Sequence, residues 1–192
     1  MDKKHNVSVM VVICAIFTAL VIGMVIHITT NFVYHDEEHR LVSTTDEKNI
    51  APDFTVFDDE NEETHLSEHL GRKTVVSFWA TWCGPCKSMV DAFNDLYEDD
   101  QKDIEFMMIN LTDGIDETVE VAKKYVNKKN LKVPVYYDLS YSAAHSYHIE
   151  TLPVTVFIDE NGYISNIHQG SLTKSQIKEY IKAIGTDNDQ LK

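Results

Sequence analysis

Hydrophobic and polar positions along the chain fall into two regimes joined by a polar stretch. The first runs from Val7 to Ile28 without a charged side chain, its polar members being Ser8, Cys14, Thr18 and His27. A helix of that length rises about 33 Å, enough to cross a bilayer core. The run is apolar all round, whereas a helix lying on a soluble core shows a stripe. Residues 7–28 are therefore expected to form a single transmembrane helix that anchors the chain. A cleaved signal peptide is the rival reading. It carries a shorter apolar region and a small-x-small cleavage site, and Ile26-His27-Ile28-Thr29-Thr30 offers none. Lipid attachment at Cys14 fits poorly, because bulky Ile13 precedes it and the apolar run continues beyond.

Beyond residue 49 the periodicity changes to that of an α/β domain. Phe54 to Phe57 alternates as a strand, Asp58 to Asn61 reads as its turn, and Thr64 to Leu66 completes a hairpin. Thr74 to Ala80 is a central strand. Met89, Val90, Phe93, Leu96 and Tyr97 then recur at helical spacing up to about Asp99. Ile104 to Asn110 has the continuous apolar character of a buried parallel strand. A helix over Asp116–Lys129 and a strand over Val133–Tyr137 follow. Next come a short helix over Ser142–Tyr147, a strand over Val154–Asp159, a turn at Glu160-Asn161-Gly162 and a return over Tyr163–His168. Thr173 with Gln176 forms a capping box for a last helix that Gly185 ends.

Charge orients the anchor. Lys3 and Lys4 precede the span, while Asp36, Glu37 and Glu38 follow it against Arg40 alone. Cationic flanks stay inside, so residues 1–6 are expected in the cytoplasm and everything after the span on the extracytoplasmic face. Residues 29–49 read as a tether, 50–185 as the domain and 186–192 as a tail. The formal net charge of −14 argues against nucleic acid or an anionic lipid surface as a partner of the domain. Three cysteines make no disulfide framework. Cys83 and Cys86 stand two residues apart between a predicted strand and a predicted helix, and Cys14 is a bystander.

That junction is where the chemistry lies. Trp79-Ala80-Thr81-Trp82-Cys83-Gly84-Pro85-Cys86 brings two sulfurs within bonding reach. It also leaves Cys83 at a helix N-terminus, where free N–H groups and the helix dipole favour a thiolate. Cys86, one turn inward, is expected to be more buried and to act second. Half of a zinc site or a structural disulfide are the bland readings. Zinc would need histidines to complete it, since Cys14 is far upstream.

The motif Trp82-Cys83-Gly84-Pro85-Cys86-Lys87 resembles the active site of thioredoxins. The amino-terminal hairpin, Pro52-Asp53-Phe54, the extra helix and strand between Asp116 and Tyr137, and Leu152-Pro153-Val154-Thr155 make residues 50–185 similar to the TlpA/ResA-like branch. Those proteins are membrane-tethered thiol–disulfide oxidoreductases. The resemblance implies a three-layer thioredoxin-like domain and a dithiol pair, Cys83 and Cys86, as its redox centre with no other cofactor. It implies Trp82, Gly84, Pro85, Leu152 and Pro153 as substrate contacts, with Pro153 cis. It further implies exported disulfide-containing proteins as partners, such as an apocytochrome c or a methionine sulfoxide reductase, and a membrane thiol transporter as electron source. Gly-Pro between the cysteines resembles reducing thioredoxins, so reduction is the expected direction and oxidation of exported thiols the alternative.

Three positions depart from the family pattern. Ser77 stands where thioredoxins carry a buried aspartate, and Met89 where ResA-like proteins carry a glutamate. An apolar residue, Met107 or Met108, replaces a lysine of the following strand. Deprotonation of Cys86 then falls to water or to Cys83. His145, His148 and His168 raise the further alternative of a copper carrier using the CxxC pair as ligands. Trp79 reads equally as site tryptophan or core, and Lys87 and Glu150 as solvated side chains. A peroxidatic site would need a Thr and a Pro arranged about its cysteine, and none is evident.

Overall fold

The computed structural model describes residues 17–24, 27, 49–99 and 103–185. The chain divides between two compact units at Glu47/Lys48. In the first unit residues 17–24 and 27 are helical. Most of the predicted anchor, all of residues 1–6 and the tail at 186–192 lie outside the described residues, as does the tether apart from residue 49. Among the described residues no helix is long and apolar enough to cross a membrane.

The second unit is a seven-stranded mixed sheet. Its strands are β1 (Thr55–Phe57), β2 (Glu63–His65), β3 (Lys73–Trp79), β4 (Ile104–Asn110), β5 (Val135–Tyr137), β6 (Val154–Ile158) and β7 (Ile164–Gln169). They lie in the order β2-β1-β5-β4-β3-β6-β7. β3, β4 and β5 are mutually parallel, and the outer pairings are antiparallel. The helices are α1 (Gly84–Asp99), α2 (Val119–Lys129), α3 (Ser142–Ser146) and α4 (Lys174–Ala183), with a 3-10 turn over Leu66–His69. This is the thioredoxin-like α/β arrangement expected from the order of elements.

Alternation along the central strands sorts side chains into two cores. Val75 and Trp79 of β3, Phe106 and Met108 of β4 and Phe157 of β6 face one side. There they meet Met89, Val90, Phe93 and Leu96 of α1 and Ile177 and Ile181 of α4, with Tyr125 and Val126 of α2 packed against them. Val76, Phe78, Met107, Ile109, Val156 and Ile158 face the other side, against Phe54, Val56, Leu66 and Ala143. Burying a side chain of this size is worth about 1.5–3 kcal/mol, so α1 is held by its apolar stripe rather than by helix propensity.

β1, β3, β6 and β7 are offset by a single residue at one or both ends, and four further boundaries differ from the periodicity for a local reason. α2 begins at Val119, not Asp116, because the Asp113 carboxylate takes the N–H groups of Ile115, Asp116 and Glu117 and Thr118 caps the helix at Val121. β5 begins at Val135, not Val133, since the N–H groups of Lys132 and Val133 go to Asn94 Oδ1. β2 stops at His65 and Leu66 opens the 3-10 turn, with Glu68 accepting from the His65 N–H and the Thr64 hydroxyl. α3 stops at Ser146, and Tyr147 caps it by donating to the Ala143 carbonyl. The capping box of α4, Thr173 with Gln176, is present as expected.

Candidate active site

The β3 strand ends at Trp79, and the chain turns through Ala80, Thr81 and Trp82 before α1 starts at Gly84. Cys83 is therefore the residue immediately before the helix. Its N–H donates to the Ala80 carbonyl at 3.2 Å, and its carbonyl accepts from the Cys86 N–H at 3.2 Å. The same Cys86 N–H lies 3.2 Å from Cys83 Sγ. A helix N-terminal donor aimed at this sulfur is the arrangement that favours a thiolate once the pair is reduced. Cys83 and Cys86 are joined as a disulfide, with Cα atoms 5.3 Å apart. Cys83 is 4% exposed and Cys86 0%, the order expected for an outer and an inner sulfur.

The floor under α1 is neutral. Ser77 is wholly buried, with its Oγ 3.5 Å from Thr155 Oγ1, and the Thr155 hydroxyl lies 3.9 Å from Met89 Sδ. Ser77 pairs laterally with Met108, which shares the core of the two cysteines, whereas Met107 faces the opposite core. Met108 is thus the apolar residue on the dithiol side. Trp79 is core, its ring 5.6 Å from that of Tyr125.

On the other flank, Leu152-Pro153 is a cis peptide. The Pro153 carbonyl accepts from the Gly170 N–H at 2.8 Å, and the neighbouring Ser171 hydroxyl donates to the Pro85 carbonyl at 2.8 Å. Leu152 packs against the core containing both cysteines. Together with Trp82, Leu111, Tyr141 and Ile149 it also lines a hollow of about 220 Å³, edged by Asp113 and Glu150. Trp82 is 61% exposed and forms one wall. Cys83, Cys86, Trp82, Gly84, Pro85, Leu152 and Pro153 are thus gathered at one end of the sheet. Lys87 is exposed and contributes nothing to this hollow.

Several neighbours were not apparent from the sequence. Glu117 is fully buried and accepts from the Thr81 N–H, the Thr81 hydroxyl and the Asn110 amide. Asp113, through backbone N–H groups of which that of Glu117 contributes most, sits below the usual carboxylate range. Asp138 accepts from the Ala143 and Ala144 N–H groups, and burial pushes its carboxyl up despite them. A threonine before a CxxC and an acid before a helix are too common to signal a contact by themselves.

No histidine among the described residues lines the hollow beside Trp82. His168 Nδ1 is 3.2 Å from the Tyr180 hydroxyl, while His145 and His148 line an adjoining hollow that shares Tyr141, Ile149 and Glu150 with the first. Among the described residues no group of three or more His, Cys, Asp or Glu side chains is placed to hold a metal ion.

A family model described as AhpC/TSA matches residues 48–167. The chain belongs to the AhpC/TSA family. It is 32% identical over 135 residues to the thiol-disulfide oxidoreductase ResA of Geobacillus thermodenitrificans, a match covering 70% of this chain and 75% of that one. It is 31% identical over 175 residues to ResA of Oceanobacillus iheyensis, covering 88% and 86%. Among solved structures, StoA from Bacillus subtilis matches with a TM-score of 0.60 and 26% identity, over 68% of this chain and 97% of that one. A DsbE-like protein of Chlorobium tepidum, at 24% identity and a TM-score of 0.63 over 73% and 98%, shares the fold. This member of the family is a thiol–disulfide oxidoreductase of the ResA-like kind.

Proposed function

We propose that the chain reduces disulfides of exported proteins through Cys83 and Cys86, from a position anchored in the cytoplasmic membrane. The observation that carries the reading is the paired sulfur site itself. The outer sulfur lies before a helix and receives its N–H, and an apolar hollow bearing Trp82 and Leu152 opens beside it. In the reduced protein the Cys83 thiolate attacks one sulfur of the partner's disulfide. That S–S bond breaks, a mixed disulfide forms, and the partner's other sulfur leaves as a thiolate and takes a proton. Cys86 then loses its proton and attacks Cys83 Sγ. The mixed disulfide breaks, the partner leaves as a dithiol, and two electrons and two protons have passed to it.

Trp82, Gly84 and Pro85 on one side, with Leu152 and Pro153 on the other, hold the partner's extended segment across Cys83. Phe17, Leu20, Ile22 and Met24 are exposed on the helical part of the anchor segment, which suits a lipid surround. The match to the Oceanobacillus relative also extends over more of this chain than the domain alone supplies. A membrane thiol transporter would restore the dithiol, and an apocytochrome c or a methionine sulfoxide reductase fits as the disulfide-bearing partner.

Reduction of insulin by the purified full chain tests the reading. Turnover should vanish in Cys83→Ser, and turnover that persists in that variant would refute it. Protease accessibility of the domain in sealed membranes tests its side.

A further inference from the structure

The carboxylate of Glu117 is wholly buried and is shared between the loop after β4 and the loop that carries the dithiol. Its Oε1 accepts from the Thr81 N–H at 2.8 Å and from Asn110 Nδ2 at 2.6 Å, and its Oε2 from the Thr81 hydroxyl at 2.6 Å. The amide of Asn110 is itself oriented, because its Oδ1 accepts from the Thr112 hydroxyl at 3.1 Å and leaves Nδ2 for Glu117. Asp113 folds the intervening turn so that Glu117 points inward, accepting from the Glu117 N–H at 2.9 Å. Three donors from two segments therefore converge on one acid, and two of them belong to Thr81, two residues before the outer cysteine.

The three donors satisfy the buried carboxylate, and the charge they hold in place beside a nucleophile also acts on it electrostatically. Two residues of chain reach at most about 7 Å, which places this charge on the order of 10 Å from Cys83 Sγ. At the effective permittivity of a protein site, a like charge at that distance moves a thiol by about one pH unit. Its sign opposes the α1 N-terminus, which favours the Cys83 thiolate.

We infer that Glu117 is a positioning residue of the redox site, holding the Thr81–Trp82–Cys83 segment and making the Cys83 thiolate less stable than the helix alone would make it. A less stable thiolate is a less stable reduced form, so the carboxylate keeps the pair on the reducing side. The inference deepens the proposed function and rests on Cys83 being the attacking thiol.

Glu117→Gln isolates the charge from the geometry. The glutamine oxygen takes over the Thr81 N–H and Asn110 contacts, and its amide donates to the Thr81 oxygen. The reduced full chain is alkylated with iodoacetamide across a pH series, and modification is read by mass at the peptide containing Cys83. The midpoint should fall by about one pH unit in Glu117→Gln, with the reduction potential moving positive. An unchanged or raised midpoint would overturn the inference, since a purely structural acid leaves the thiol's titration alone. If that variant does not fold, Thr81→Val keeps the charge and removes one of its donors, and the midpoint should rise. A midpoint that stays or falls overturns the inference equally. A wild-type Cys83 that is never alkylated would instead remove the proposed function.

Discussion

Ser77→Asp puts an acid under the dithiol in a site made for none. Ser77 is fully buried, its nearest polar neighbour is the Thr155 hydroxyl at 3.5 Å, and beyond that lies the Met89 thioether, one helical turn after Cys86. With so little to satisfy a charge, desolvation dominates and raises the carboxyl from about 3.9 by roughly 3 units, to near neutrality. A folded-state value above the unfolded one means the variant loses little stability below about pH 4. The loss grows as pH rises through that window, reaching roughly 4 kcal/mol above neutrality at 1.36 kcal/mol per unit. The same shift makes the group a proton acceptor suited to neutral pH. A thiol in water is only about 3% ionised at pH 7, so a matched base should speed attack by Cys86 at least about tenfold there. The assay loads Cys83 with a chromophoric thiol and follows its release by stopped flow from about pH 5 to about pH 9, alongside urea unfolding at the same pH values. The two proteins should differ most near neutrality and converge at high pH, where the thiol ionises unaided. Superimposable pH–rate profiles would refute the reasoning.

Two further outcomes follow from the geometry. Trp82→Ala removes an exposed wall of the hollow, so KM for a protein disulfide should rise several-fold while stability shifts by less than about 0.5 kcal/mol; an unchanged KM would detach Trp82 from substrate binding. Burial pushes the Glu105 carboxyl up, but the hydrogen bond with His69 and the Arg72 guanidinium outweigh it and hold the group below its usual range. That stability is present above the unfolded value and lost as pH falls through the folded one. Arg72→Ala should therefore cost about 1 kcal/mol at pH 7 and almost nothing near pH 3, as measured by urea unfolding; equal losses at both would contradict it.

What the sequence made legible was local. β4 occupies Ile104–Asn110 and α1 ends at Asp99 as their periodicity predicts, because apolar spacing alone decides a buried strand and a one-sided helix. The dithiol and Leu152-Pro153 were equally plain, each being a short motif with a fixed chemistry. What escaped was set by contacts between distant segments. Asn94 draws off the N–H groups that would have lengthened β5, and Glu117 leaves the first turn of a helix to reach Thr81. The choice between Met107 and Met108 needed lateral register, which pairs Ser77 with Met108 and which no single strand encodes. The edge of the hollow, formed by Asp113 and Glu150, likewise required the fold.

The most direct measurement is covalent. The full chain carrying Cys86→Ala is expressed in membranes, thiols are quenched, and what stays bonded to the chain is identified by mass. The account predicts an exported protein held through a reducible bond on Cys83. Absence of any adduct, or adducts only with cytosolic proteins, would contradict it.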